Sequence, residues 1–175
     1  TVAIGKSALA ALTTGAGNTA VGYTALTANT TGLRNTSVGY ESLKTNIDGD
    51  DNTAVGYQSL YTYEADTDGH GANTALGFSS GKFLSTGTSN TFLGWSAGQG
   101  VTEAKTTGNS NTAVGAHSGL VLQGAANFNT LVGQAAGDSM TTGANNVVVG
   151  ATSDTDDATA TNQTVIGYAT TGQAD

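Results

Sequence analysis

The sequence predicts an all-β fold, a parallel β-solenoid or β-roll of about ten 17-residue coils. Three observations lead to this prediction. The unit Asn-Thr-small-Val/Leu-Gly recurs along the whole chain of 175 residues, and its copies follow one another at a nearly constant distance. Within the unit, side chains alternate between two faces, as they do in a strand. A period of 17 residues is also too short for a helical-hairpin repeat, which takes roughly 33 to 47 residues.

The glycine that ends each unit, here called the index glycine, marks the copies. Its ten positions are Gly5, Gly22, Gly39, Gly56, Gly77, Gly94, Gly115, Gly133, Gly150 and Gly167. Their spacing is 17 residues, apart from two insertions of four residues and one of a single residue. The copies therefore fill residues 1–175 as one repeat array, which we expect to be a fragment of a longer fibre.

Each coil is expected to hold a strand of about five residues, a turn, a second short strand and a glycine turn. The branched residue before the index glycine is expected to fill the coil, and the small residue before that to face a neighbouring chain. Four places after the index glycine, the early copies carry Leu9, Leu26, Leu43 and Leu60. These leucines are expected to fill the coil, and a side chain in this role is here called a plug. Later copies carry glycine at this position, and their plugs are expected three places further on, at Leu84, Val101, Leu122 and Met140. Insertions are expected to bulge outward without shifting the register.

Two polar columns accompany the repeat. The first consists of Asn18, Asn35, Asn52, Asn73, Asn90, Asn111, Asn129 and Asn146. Stacked amides can hydrogen-bond from coil to coil, so a structural ladder is the preferred interpretation, with a sugar-binding edge as the alternative. The second is a threonine column, Thr19, Thr36, Thr53, Thr74, Thr91, Thr112, Thr130 and Thr164, which favours a strand, with its hydroxyls bonding along the stack. A flat threonine array is also typical of an ice-binding solenoid.

Composition excludes several functions. The chain has no Cys, so disulfides, thiol catalysis and Cys-based zinc sites are excluded, and a net charge of -8 argues against nucleic-acid binding. No apolar run reaches the roughly 18 residues of a membrane span. The two histidines, His70 and His117, belong to different copies without an obvious nucleophile and acid beside them, so we predict no enzymatic activity.

Acidic residues cluster in two successive loops between coils. They are Asp48, Asp50, Asp51, Glu64, Asp66 and Asp68. Carboxylate oxygens are the ligands that Ca²⁺ prefers, so these loops are a candidate calcium site, with solvated loop charge as the simpler interpretation. No other cofactor is predicted.

Aromatic residues follow the index glycine in six copies, including three consecutive copies with Tyr57, Phe78 and Trp95. Such a stripe packs between subunits in the simpler interpretation, and it stacks on sugar rings in the alternative.

Segments such as 18–26 (NTAVGYTAL) and 90–98 (NTFLGWSAG) resemble tandem repeats of phage tail fibres and bacterial surface fibres. More distantly, they are similar to the head repeats of YadA-like trimeric autotransporter adhesins. The resemblance implies a homotrimer that contacts neighbouring fibre segments, located outside the cell, on its surface or on a virion. It implies a structural segment that spaces or presents a receptor-binding surface. A glycan-binding adhesin face, with a cell-surface glycan as partner, and an ice-binding solenoid are the alternatives.

A physical argument also favours a homotrimer. One coil offers only a few apolar side chains, several of them alanine. Burial stabilises by about 25 cal/mol per Å² of apolar area, and ordering costs roughly 1.5 kcal/mol of entropy per residue. For such a coil, the free energy gained by burial therefore only just balances the entropy cost of folding. Packing three chains along an axis would bury a second face.

Overall fold

The computed structural model describes residues 1–65 and 70–173. It is all-β, with ten parallel strands in one sheet and about nine turns of a solenoid, which confirms the predicted fold class. The strands follow chain order from β1 to β10 across the sheet. Their bounds are β1 Val2–Ile4, β2 Thr19–Val21, β3 Thr36–Val38, β4 Thr53–Val55, β5 Thr74–Leu76, β6 Thr91–Leu93, β7 Thr112–Val114, β8 Thr130–Val132, β9 Val147–Val149 and β10 Thr164–Ile166.

The strand register follows the sequence repeat throughout. Equivalent residues of neighbouring copies are paired, as in Thr19 with Thr36 and Val21 with Val38. The pairing continues unchanged across the two four-residue insertions, where Thr53 pairs with Thr74 and β6 pairs in phase with β7. The insertions therefore leave the ladder undisturbed, as the sequence predicts.

The strands are shorter than expected, with three residues each rather than five. Among the described residues, the rest of the coil contains only isolated bridges such as Asp50 with Gly71, so the predicted second strand is wrong. Two tight turns follow the index glycine instead, closed by hydrogen bonds such as Ala8 N–H to the Gly5 carbonyl (3.3 Å). Residues with positive φ, for example Leu9 at 50°, curl the chain there.

The index glycines are required by backbone geometry. Their φ angles lie between 127° and 155°, a region that side-chain-bearing residues rarely adopt. A Cβ on Gly22 would lie 2.3 Å from the carbonyl oxygen of Gly39 in the next coil. The column of glycines therefore permits neighbouring coils to approach at their tightest bend.

The strand residues that point into the coil are not the ones we expected. The small residue two places before the index glycine points inward and is fully buried, as at Ala20, Ala54 and Ala75, whereas the branched residue points outward. Ile4 and Leu76 are 59% and 50% exposed. The reason is that the turn leucines (Leu9, Leu26, Leu43 and Leu60) project into the coil and leave room opposite only for a small side chain.

The later coils fill their interior by a different arrangement. Phe92 takes the inward position of an alanine, and a Cβ on Gly81 or Gly98 would lie 2.8 or 2.3 Å from its ring. Phe92 therefore occupies the space that turn leucines fill in two early coils. Leu131 is related in the same way to the glycines at positions 119 and 137.

Three of the four predicted plugs are fully buried, namely Leu84, Leu122 and Met140. Val101 is only half-buried, so its assignment as a plug is wrong, because Phe92 already fills that coil.

Across the described part of the chain, no helix is long and apolar enough to cross a membrane.

Candidate functional site

The asparagine column lies entirely inside the solenoid, and all eight of its members are fully buried. From Asn18 to Asn129, each carboxamide oxygen accepts the backbone N–H of the next asparagine, as between Asn18 and Asn35 at 2.8 Å, and the oxygen of Asn146 accepts that of Gln163. From Asn35 to Asn129 it also accepts the amide of the next side chain, for example Asn52 to Asn35 at 3.0 Å. The amide groups donate further to turn carbonyls such as Gly87. Because these groups bond to one another and to backbone, the column has no exposed edge for a sugar.

The threonine column lies on the outer face of the sheet. Its members are Thr19, Thr36, Thr53, Thr74, Thr91, Thr112, Thr130 and Thr164, all half-buried or exposed. Within residues 1–65 and 70–173, none of their hydroxyls makes a hydrogen bond to protein. The expected hydroxyl bonds along the stack are therefore absent there, because an outward-pointing Thr side chain has no partner in its own sheet.

Beside the threonines runs a column of outward-pointing branched residues. It consists of Ile4, Val21, Val38, Val55, Leu76, Leu93, Val114, Val132, Val149 and Ile166. We call these two columns together the strand face. Because equivalent residues pair from strand to strand, side chains on this face repeat at about the 4.8 Å spacing of neighbouring strands. The strand face is thus a flat array of methyl groups and free hydroxyls about ten coils long.

An aromatic stripe borders the strand face. Tyr23, Tyr40, Tyr57 and Phe78 stack in successive coils with ring centroids 4.9 to 5.3 Å apart and planes within 13° of parallel. The Lys6 ammonium lies 5.9 Å from the centroid of the Tyr23 ring. The rings are partly exposed, yet each inner ring has a neighbour on both faces.

This stacking limits where a sugar could lie against the predicted glycan residues. Tyr57 contacts rings on both faces and so presents mainly its edge to solvent, whereas Phe78 stacks on one face, against Tyr57. Trp95 is 57% exposed and contacts the tilted ring of His117 at a centroid distance of 4.6 Å. Of the three residues, Trp95 retains the most accessible ring.

The four predicted calcium ligands that the structure describes separate into two pairs, Asp50 with Asp51 around Arg34, and Asp48 with Glu64. Asp51 accepts the Arg34 guanidinium at 2.6 Å, Asp50 accepts it at 3.3 Å, and this ion pair lowers the pKa of the Asp51 carboxyl. Asp66 and Asp68 lie outside the described residues. Within residues 1–65 and 70–173 there is no group of three or more acidic, histidine or cysteine side chains suited to a metal ion.

Asp48 and Glu64 form a carboxyl pair. The Asp48 carboxyl interacts electrostatically with that of Glu64, and Glu64 also accepts the backbone N–H of Ile47 at 3.3 Å. Burial, followed by the negative charge of Asp48, raises the pKa of Glu64 to about 7. The pair therefore carries a proton in mildly acidic solution, where an isolated glutamate would be ionised.

A cationic cluster that the sequence analysis missed lies on the turn side of the coil. Lys44, Tyr61 and Lys82 each stand five places after an index glycine, and the two ammonium groups lie 5.3 and 6.0 Å from the centroid of the Tyr61 ring. Lys82 also lies 5.1 Å from the Phe83 ring centroid. Their common position in the repeat was the available signal, because residues at one repeat position stack.

A groove of about 550 Å³ runs next to this cluster. Lys44, Thr45, Ile47, Thr62, Glu64 and Lys105 are among the residues that line it. None of them belongs to a strand. The molecule thus has two separate surfaces that are candidates for binding a partner or a ligand, namely the strand face and this groove, which we call the turn groove.

Comparison with protein-family models, with curated proteins and with solved structures finds no match to this chain, so its function has to be argued from these two surfaces.

Proposed function

We propose that the chain is a structural segment of an extracellular or virion fibre, and that three parallel copies pack through their strand faces to form a homotrimer. The observation that carries the proposal is the outward column of branched residues. Soluble monomers rarely expose a continuous apolar stripe of this length, and such stripes mark protein interfaces. Here it extends over ten coils, with Ile4, Leu76 and Ile166 at least half exposed.

The geometry of the strand face suits assembly along an axis. The face is built from one strand per coil in constant register, so an identical chain can contact it along its full length. Burying one half-exposed Val or Leu stabilises an interface by about 1 kcal/mol, and ten such positions repeat along each chain. A rod of ten coils, about 50 Å long, then serves to hold a receptor-binding tip away from a surface.

Analytical ultracentrifugation tests the proposal directly. We expect a mass of three chains for the natural sequence. Replacing Val38 and Val55 by Lys should give single chains, because like charges would meet on the strand face. The matched control is Thr31→Lys, which adds a charge at an exposed turn position and should leave the trimer intact. A natural sequence that sediments as one chain at micromolar concentration would refute the trimer.

Ice binding is the second candidate function, and the free hydroxyls of the strand face favour it. Eight threonines in register present hydroxyls without a protein partner beside a column of methyl groups. A repeating array of this kind can order water into a matching lattice. The test is thermal hysteresis of the dilute protein, which Thr53→Tyr and Thr74→Tyr should abolish. Since a trimer buries the face that ice would need, a stable trimer without hysteresis excludes this candidate.

A further inference from the structure

The turn groove carries an inference that is independent of the strand face. The chain has five Lys and Arg residues against thirteen acidic ones, yet three of the five, Lys44, Lys82 and Lys105, lie in or beside this groove. Lys44 contacts Glu41 at 2.6 Å. Lys82 and Lys105 form no ion pair with any described residue. A strongly acidic molecule thus concentrates unpaired positive charge at one place.

The groove also offers hydrogen-bond acceptors and an apolar surface. The hydroxyls of Thr45 and Thr62 donate to backbone carbonyls, at 2.9 Å to Tyr63 and 3.0 Å to Leu84. Their oxygens therefore remain available as acceptors. Ile47 is 45% exposed at the groove edge, where it can contact an apolar ring face. The volume of about 550 Å³ falls within the roughly 300–1,000 Å³ of small-molecule sites.

We propose that the turn groove, with Lys82 beside it, binds a sugar chain that carries carboxylate groups and lies parallel to the solenoid axis. The ammonium groups of Lys44 and Lys105 contact the carboxylates, sugar hydroxyls donate to Thr45 and Thr62, and the ring face packs on Ile47. Acidic groups elsewhere on the chain repel such a ligand only weakly at physiological salt, where charges are screened beyond about 8 Å. The groove lies outside the strand face, so it stays open in a trimer packed through that face.

Glu64 makes the binding sensitive to pH. It lies in the groove, and the charged groups around it in the described chain are Asp48, the other member of the carboxyl pair, and the lining residues Lys44 and Lys105. Above neutral pH its carboxylate repels an anionic sugar. Below neutral pH the carboxyl is protonated and this repulsion is lost, while ordinary sugar carboxylates stay ionised. Binding therefore strengthens as the pH falls from 8 to 5.5.

Isothermal titration calorimetry with trigalacturonate, with maltotriose as the neutral analogue, tests the site. We expect the natural protein to bind trigalacturonate and not maltotriose. The double variant Lys44→Gln/Lys105→Ala should weaken binding about tenfold or more, because two contacts between opposite charges are lost. Lys6→Ala removes the same type of charge at a residue that does not line the groove, beside Tyr23, and should change the affinity less than twofold.

Two further measurements complete the test. Glu64→Gln should bind at pH 8 as tightly as the natural protein does at pH 5.5, and its affinity should no longer depend on pH. Circular dichroism must show an unchanged fold for every variant compared. Three results would overturn the proposal. The first is equal binding of maltotriose and trigalacturonate, and the second is an equal loss of affinity in the Lys6 and groove variants. The third is full displacement of trigalacturonate by millimolar sulfate, because a site for a bare anion needs no sugar. Sedimentation of the same samples reports separately on the trimer.

Discussion

We expect the plug Phe92 and the glycine opposite it to be energetically coupled, so that one substitution compensates for the other. Phe92 is fully buried, and its replacement by Ala should cost about 3–5 kcal/mol of the free energy of unfolding. Gly98→Leu alone should cost about 3 kcal/mol, because a Cβ there would lie only 2.3 Å from the Phe92 ring.

The double variant Phe92→Ala/Gly98→Leu rebuilds the interior of an early coil, with Ala on the strand and Leu in the turn. Backbone conformation permits this exchange, since Gly98 has φ 55° and Leu26 already occupies the equivalent position at 52°. Some space beside Gly81 stays empty, because the Phe92 ring also fills the preceding coil. We therefore expect a cost of about 2 kcal/mol for the double variant, against about 6–8 if the two single costs were additive.

Urea unfolding followed by far-UV circular dichroism measures these costs. The control is Phe92→Ala/Gly137→Leu, which places the leucine opposite Leu131, the other plug, where it cannot fill the vacated space. That variant should show additive costs. Additive costs in Phe92→Ala/Gly98→Leu would show that the inward plug and the turn leucine do not share one interior space, and would refute our description of the core.

Three further predictions concern the glycine column, the asparagine column and the carboxyl pair. Gly56→Ala should lower the free energy of unfolding by at least about 2 kcal/mol in the same urea assay, because its Cβ would meet the Gly77 carbonyl oxygen at 2.3 Å. The control is Gly124→Asn, which should cost less than about 1 kcal/mol, because Gly124 has φ 47° and a Cβ there would have its nearest contact at 3.7 Å. Asn90→Ala should cost about 2–4 kcal/mol, because the backbone N–H of Asn111 and the carbonyl of Gly108 lose their partner, and a cost under 0.5 kcal/mol in thermal unfolding would contradict a ladder role. Since the pKa of Glu64 rises from 4.5 to about 7 on folding, the folded state binds the extra proton between these values, so stability should fall as the pH rises from 4.5 to 7, and Glu64→Gln should remove that slope in melting curves taken across the range.

The periodic features of the fold could be predicted from the sequence because periodicity is all they require. The register of the ten strands and the stacking of the asparagines follow once equivalent residues lie one above the other. Which apolar face points inward could not be predicted in this way, because Ala and Val alternate on a strand whichever face is buried. That choice depends on turn residues such as Leu26, whose positive φ directs its side chain inward.

The sequence did contain one signal for the interior. Phe92 and Leu131 replace small residues only in coils where glycine replaces the turn leucine, at Gly98 and Gly137. A large strand residue thus accompanies a small turn residue, which indicates that the two side chains fill the same space. Since the turn leucine fills the coil, the strand residue must point inward as well. The acidic loops had a signal that the sequence analysis missed, because Arg34 and Asp51 each precede a column asparagine, and residues at one repeat position stack.

The inward position of the alanines also bears on function. If the branched residues filled the coil, the outer face would carry only small and polar groups, and nothing would drive chains together. With alanines and turn leucines inside, a 17-residue coil fills its interior and leaves one branched residue outside in every repeat. In the proposed trimer, assembly depends on the strand face, whereas the lysines, threonines and Glu64 line the turn groove, which contains no strand residue. If both proposals hold, substitutions on one surface should leave the property of the other unchanged, so that the proposed fibre can vary its ligand without losing its oligomeric state.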